Sequence, residues 1–404
     1  MMVLCAQVFV TALGVGISMP TIGAHAASLG GGVVWVGLAF GGFFVGRAAV
    51  TPVVGWLSDL RGRTPFLIAG FTGTVAAGLV MVLAGDAAVL VAARVLHGAC
   101  AACTLPILTA SAGAVCPPGR SRPFLGTFNG LRTIGLALGF AVGAMTALFG
   151  WGVGVVPHVV TALAGLAGLA LMAALSESAT SAALRTAPAY RRLLRDRQVR
   201  GLSLYRFLLA MSPPALLAFV PVLLTARGGS ILGAGAAEIG DALSRMPPGR
   251  LAIVALIGVA SGAAQIALGR TLRDRHTYSP SVSAAAGALL VACALVVVPH
   301  LRSFPYFACV AFVAGLGVGA LLLPGIVLMV AVARKRGLGS VIGLVELAAA
   351  LGAAVGTGIA TVATRFLPNS LFPTAALFPL LAAGAFVVVA RAAGPEPGHQ
   401  GTAA

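Results

Sequence analysis

Charge is scarce in this chain, and negative charge is scarcest. Of its 404 residues only 9% are Asp, Glu, Lys or Arg, and nine are acidic, whereas a soluble domain carries about 25% charged residues. With 59% apolar residues, an ordinary soluble domain is excluded and a polytopic membrane protein is implied. A disulfide framework is lacking too. Cys5, Cys100, Cys103, Cys293 and Cys309 fall in apolar runs and Cys116 in a short loop, so none belongs to an obvious extracellular pair. Cys100-Ala-Ala-Cys103 has no second Cys or His pair beside it, which points to small-residue packing rather than a metal site. No constellation of nucleophile, metal ligands or paired carboxylates appears, so neither an enzyme nor a bound cofactor is expected.

What the chain has instead is a succession of long apolar runs. About 20 mostly apolar residues cross a bilayer, and that requirement yields twelve spans, at 2–23, 33–57, 65–84, 87–115, 124–149, 151–175, 202–226, 251–268, 281–299, 304–333, 338–363 and 371–390. The first lacks a basic leading region and is read as a span rather than a signal peptide. The expected fold class is all-α integral membrane, with twelve transmembrane helices in two pseudo-symmetric six-helix bundles. The bundles are expected over 1–175 and 202–391, joined by a cytoplasmic linker at 176–201 and followed by a disordered cytoplasmic tail at 392–404. The linker holds Pro188 and six arginines, with an interfacial helix expected near 190–198. Ser212-Pro213-Pro214 should break or kink the seventh span, and the glycine-rich loop at 227–250 carries no legible chemistry.

The net charge of +17 suggests nucleic acid until the charges are placed. Assigned to alternate loops, 17 of the 26 basic residues fall on one side and five on the other. That bias is a topology signal, putting both termini in the cytoplasm and the chain in the inner (plasma) membrane, with a lipid bilayer and not nucleic acid as its partner. A monomer is expected.

Charges inside the spans are few. Arg47, Arg94 and Arg132 lie well within them, while Arg206, near the expected start of the seventh span, reads as a side chain that snorkels to the interface. Glu346 is the only acidic residue well inside a span. A carboxylate there is suited to taking up and releasing protons. Glu346 is therefore the candidate proton carrier, biased by Arg94 or Arg132; the competing reading is a permanent ion pair that ties the two halves together. Arg47, Asn129 and Gln265 are candidates for the substrate cavity, which three arginines against one acid leave positive. His25, His158 and His300 are scattered rather than clustered, and Gly315-Leu-Gly317-Val-Gly319 sits inside a span as a packing feature.

The halves repeat one another. Gly130, Gly139 and Gly143 recur as Gly343, Gly352 and Gly356 at one offset of 213, which pairs Thr133 with Glu346 and Arg132 with Val345. The segment 55–63 is echoed, less closely, by 269–275, with Asp274 as its acid.

Three short patterns carry a family resemblance. Gly55-Trp56-Leu57-Ser58-Asp59-Leu60-Arg61-Gly62-Arg63 resembles the G-x-L-S-D-x-x-G-R loop between helices two and three of major facilitator superfamily transporters. Arg94-Val95-Leu96-His97-Gly98 is similar to the superfamily's R-x-x-Q-G element in helix four, with His97 in place of Gln. Gly135, Gly139 and Gly143 resemble the helix-five antiporter element G-x-x-x-G-P-x-x-G-G, except that Phe140 replaces its proline and Ala144 its last glycine. The resemblance implies alternating access in a drug or metabolite:proton antiporter. It implies that Asp59 rests against the amino end of helix eleven and the basic residues Arg61 and Arg63, locking an outward-facing state, with Gly55, Gly62, Asp274, Gly135, Gly139 and Gly143 as further gating positions. It also implies a proton-coupling role for Arg94 and His97. The function read from this is a proton-coupled exporter of small drug-like, anionic or neutral organic molecules; the alternatives are a proton symporter importing a metabolite and a non-transporting receptor of the same fold.

Overall fold

In lipid every backbone N–H and C=O must be bonded within its own segment, so apolar runs become helices. The computed structural model describes residues 1–31, 33–117, 119–148, 152–175, 190–225, 248–271, 279–300, 304–366 and 371–392. Within these lie fourteen α-helices: α1 (Met2–Ser18), α2 (Ile22–Ser28), α3 (Val33–Arg61), α4 (Thr64–Val82), α5 (Ala87–Val115), α6 (Ser121–Leu148), α7 (Val156–Met172), α8 (Tyr190–Arg195), α9 (Arg197–Thr225), α10 (Pro248–Thr271), α11 (Pro280–Val297), α12 (Phe304–Arg336), α13 (Leu338–Phe366) and α14 (Leu371–Ala392). Among the described residues, eight helices are long and apolar enough to cross a membrane, namely α3 to α6 and α11 to α14, while α1 and α7 are apolar and 17 residues long. α9 and α10, of 29 and 24 residues, reach membrane length and complete twelve.

The helices pack as two copies of one plan. In the first bundle α1 packs on α6 and α7, α3 on α5, and α4 on α5 and α7; in the second α9 packs on α13 and α14, α10 on α12, and α11 on α12 and α14. Replacing each helix by its counterpart one half later converts one set into the other. The repeat extends to single residues. Gly139 and Gly143 of α6 admit the backbone of α1 at Leu13 and Ile17, and Gly352 and Gly356 of α13 admit that of α9 at Phe207 and Met211.

The bundles meet along two seams, α3 with α13 and α6 with α10. Both depend on glycine, because only a missing side chain lets helix backbones approach so closely. A Cβ on Gly55 would lie 2.5 Å from Gly339 O, and one on Gly339 would overlap Gly55 O and Ser58 Oγ. Gly339→Ala should therefore push α13 off α3, at about 1–3 kcal/mol of overpacking. Accessibility of a cysteine at Ser340 to a membrane-impermeant thiol reagent, in a background freed of native cysteines, should rise.

Several elements depart from the sequence-based expectation. The first span ends at Ser18, and α2 follows as a separate short helix beyond Pro20, whose ring cannot continue a hydrogen-bonded turn. α9 begins at Arg197, five residues before the expected span, and stays helical through Pro213 and Pro214. The early start follows from Asp196, whose Oδ1 accepts from Gln198 N at 2.9 Å and Val199 N at 3.1 Å and so caps α9. The same residue ends α8 at Arg195. Most of the 227–250 loop and all of 272–278, including Asp274, lie outside the described residues.

Candidate functional site

A cluster of charge sits where the two bundles face each other. Arg206 of α9 donates from Nη2 to Glu346 Oε1 at 2.7 Å, and Arg47 of α3 donates from Nη2 to Oε2 at 2.5 Å. The Glu346 side chain is 3% exposed and its two partners 14% and 15%. Arg132 of α6 lies within electrostatic reach of the same carboxylate but makes no salt bridge among the described residues. Three cations against one anion leave a formal excess of two positive charges. The Nε atoms of Arg47 and Arg206 are buried with no hydrogen-bond acceptor among the described residues. Burying charges is tolerable only when they are shared, as Glu346 is here between one arginine from each bundle.

Glu346 is thus not solitary: of the two arginines expected beside it, Arg132 is within electrostatic reach and Arg94 is not, and its bonded partners are Arg47 and Arg206. Arg206 extends into the cluster instead of snorkelling, because α9 starts early enough to put it more than two turns inside the helix. Five arginines between 191 and 200 masked it as one more interfacial charge. The in-span signal that could have found it was present, since a lone buried carboxylate needs every nearby cation. Arg94 belongs elsewhere. It is fully buried in the first bundle, donating from Nε to Ala39 O and from Nη1 to His97 Nδ1, both at 3.2 Å, with its guanidinium 5.0 Å from the centre of the Phe43 ring. A guanidinium only donates, so His97 accepts through Nδ1 and its neutral ring carries the proton on Nε2. Arg94 and His97 therefore hold α5 to α3 and do not pair with Glu346.

Asn129 and Gln265, expected in the cavity, are buried at the α6–α10 seam and bonded to one another, Asn129 Nδ2 donating to Gln265 Oε1. Gln265 Nε2 also donates to Thr133 Oγ1 at 3.2 Å. Gly135, Gly139 and Gly143 face α1 within the first bundle, where they admit Phe9, Leu13 and Ile17, and not the other half. At the face opposite the Arg61–Arg63 loop, His25 and His158 are buried together, with Nδ1 and Nε2 3.0 Å apart, a pairing that their separation in sequence concealed. No group of three metal-ligating side chains occurs among the described residues.

The second feature is the closure at the Arg61–Arg63 face. Gly62 takes φ +82° and Gly337 φ +113°, a region that disfavours side chains, so α3 turns into α4 and α12 into α13 within one or two residues. These turns bring Asp59 to the amino end of α13. Its Oδ1 accepts from Gly339 N at 2.8 Å, and its Oδ2 accepts from Ser340 N at 2.8 Å and Ser340 Oγ at 2.7 Å. A carboxylate satisfying otherwise unpaired N–H groups at a positive helix end is a strong, charge-assisted contact. Arg63 is buried beside it, where burial pulls its guanidinium down and the Asp59 carboxylate opposes that, whereas Arg61 is exposed. Tyr190 of the linker donates to Pro52 O, and burial, then the Asp59 charge, push its hydroxyl up so that it remains a donor at physiological pH.

Further contacts close the same face. Arg334 at the end of α12 donates to Gly113 O at 2.9 and 2.8 Å and to Cys116 O, satisfying carbonyls at the end of α5 in the other bundle. Arg336 donates to Asp196 Oδ2 at 2.7 Å and Gln198 Oε1 at 2.9 Å, fixing the linker to α12. Ser340, Arg334 and Tyr190 were not singled out from the sequence, because each has a contact with a backbone N–H or carbonyl on one side, which residue identities do not announce.

The chain and its two-bundle fold have relatives. Over 95% of its length the chain superposes on the crystal structure of the human organic anion transporter MFSD10 (TETRAN), covering 98% of that chain with a TM-score of 0.70 at 18% identity, which is a likeness of fold. An uncharacterized MFS-type transporter of Methanocaldococcus jannaschii is 32% identical over 143 residues, 34% of this chain and 36% of that protein. The efflux pump dotC of Dothistroma septosporum is 32% identical over 155 residues, 37% of this chain and 26% of that protein. The matched segments thus span about a third and a quarter of these two relatives. The family model described as Major Facilitator Superfamily matches residues 4–357, and with nearly the whole fold covered the chain belongs to this superfamily of membrane transporters, not of enzymes.

Proposed function

We propose that the chain is a proton-coupled transporter that moves small organic molecules across the inner (plasma) membrane by alternating access, with Glu346 as the proton carrier. The observation that carries this reading is the Glu346 cluster: one ionisable carboxylate, buried at the seam, bonded at once to Arg47 of one bundle and Arg206 of the other. Protonation would weaken both bonds together, so a proton arriving there alters how the halves are held. The basic face is then cytoplasmic, with both termini on that side. Its closure by Asp59 and Arg334 corresponds to an outward-facing or occluded state.

Export is the direction that the efflux-pump relatives support. A second reading, proton symport that imports a metabolite, is supported by the excess of arginine around Glu346. The test is counterflow and flux in proteoliposomes bearing an imposed pH gradient, with cargo found by a toxicity screen in a host stripped of its own exporters. Flux should collapse when an ionophore dissipates the gradient; flux indifferent to the gradient would refute proton coupling, and no flux of any compound would favour a receptor.

A further inference from the structure

Two guanidinium groups bond one carboxylate at the seam and a third, that of Arg132, lies within electrostatic reach of it, and the proton-carrying role of Glu346 accounts for only part of that charge. Each paired arginine uses one Nη2 on Glu346, leaving the Nε of Arg47 and of Arg206 buried without an acceptor among the described residues, and Arg132 without a salt bridge. An arginine fork is shaped for two oxygens of one planar or tetrahedral anion. Glu346, shared between two forks, fills neither. Buried donors without acceptors and two uncompensated positive charges are both relieved by the same thing, an added oxyanion.

We propose that Arg47, Arg132 and Arg206 form the binding site for an oxyanion borne by the cargo, a carboxylate, sulfonate or phosphonate group, and that Glu346 occupies this site as an internal surrogate when cargo is absent. The proposal rests on Glu346 being the proton carrier and adds the substrate class and the sign of the coupling. A cargo anion entering the cluster displaces the Glu346 carboxylate from the guanidinium donors. Two anions in one buried site repel, and the repulsion is removed when Glu346 takes a proton from the aqueous side. Anion binding and protonation therefore promote one another, reciprocally. Antiport requires the opposite, competition between proton and cargo, so an acidic cargo here travels with the proton and selects the symport reading.

The charged groups that face Glu346 define what can modulate this exchange. They are Arg206 from α9, Arg47 from α3 and Arg132 from α6. Among the described residues, α5, α12 and α14, which also pack on α13, bring no further charge to it. In particular Arg94 and His97 of α5 are engaged with each other and with Ala39 O.

The test is direct binding to the purified full chain in detergent, read by calorimetric titration and by thermal stabilisation. The probes are benzoate, benzenesulfonate and phenylphosphonate, with benzamide as the uncharged control. Benzenesulfonate stays ionised across the range, so its pH dependence reports the protein. Wild type should bind it several-fold more tightly at pH 5.5 than at pH 7.5. Glu346→Gln should bind it at both values at least as tightly as wild type does at pH 5.5. Arg132→Gln should weaken binding about tenfold at both, a loss comparable to one charge-assisted interaction, and Arg132→Lys, which keeps the charge without the fork, should lie between and guards against misfolding. Equal binding of benzamide, no effect of Glu346→Gln, or no response of Glu346→Gln to any of the three anions would overturn the proposal. If gradient-driven flux depends on Glu346 while anion binding ignores all three arginines, this site assignment is wrong and the transport reading stands.

Discussion

Glu346→Gln should reduce pH-gradient-driven flux in proteoliposomes to the level of protein-free vesicles, while exchange of cargo at zero gradient persists. Glutamine keeps the shape and an acceptor oxygen toward Arg206 or Arg47, so alternating access can continue, but it cannot take a proton. The change also has a stability signature. It leaves the guanidinium groups of Arg47 and Arg206, and that of Arg132 near them, without a counter-charge, and removing one partner of a buried pair typically destabilises by about 3–5 kcal/mol. A lower thermal midpoint in detergent is therefore expected, and Glu346→Ala should fall further because it removes the acceptor as well. Adding Arg206→Gln to Glu346→Gln should recover part of the loss, since the remaining charges are fewer. A Glu346→Gln protein of wild-type stability and wild-type gradient-driven flux would argue that the cluster neither carries protons nor holds the seam.

Asp59→Asn should shift the conformational balance toward opening of the basic face. In the closed form the carboxylate accepts three hydrogen bonds, two from backbone N–H groups at the start of α13 and one from Ser340 Oγ. Hydrogen bonds to a charged group contribute about 1.5–3 kcal/mol each, and asparagine retains one neutral acceptor while turning its amide toward donors. A net loss of about 1.4 kcal/mol or more changes the ratio of closed to open forms about tenfold or more. Spin labels at exposed Arg120 and Lys335, in a cysteine-free background, should report a longer distance population that grows in Asp59→Asn. Arg334→Ala should act in the same direction and more weakly, because its contacts go to carbonyls that water can also satisfy once the face opens. An unchanged distance distribution in Asp59→Asn would remove the lock from the account.

Much of the architecture was legible in the sequence because lipid imposes a narrow choice. Where water is absent the backbone must be helical, so apolar run length alone located the helices, and the glycine offset of 213 revealed the duplication that the packing displays. The ends of helices were less legible. α1 stops at Ser18 and α9 starts at Arg197 because of Pro20 and the Asp196 cap, local effects that hydropathy averages away. At the site, Glu346 stood out because acids within spans are so rare, and Asp59 because its loop has a recognisable pattern. The amino end of α13 was expected beside Asp59 and is there, but the bonded partners of Glu346 did not stand out. Arg206 was hidden by neighbouring arginines, and Arg94 resembled a coupling residue although its environment is an imidazole, a carbonyl and a phenyl ring. Which cation meets which anion depends on helix rotation and depth across the seam, and neither is written in any one segment.

The most direct measurement is infrared difference spectroscopy of the reconstituted protein as pH is lowered, with Glu346→Gln as the reference. Protonation of the buried carboxyl should appear as a single C=O stretching band that is missing in Glu346→Gln and grows when benzenesulfonate is added at constant pH. If the wild type shows no carboxyl band beyond that of Glu346→Gln at any pH at which the protein remains folded, with or without the anion, Glu346 stays an ionised strut and does not move protons.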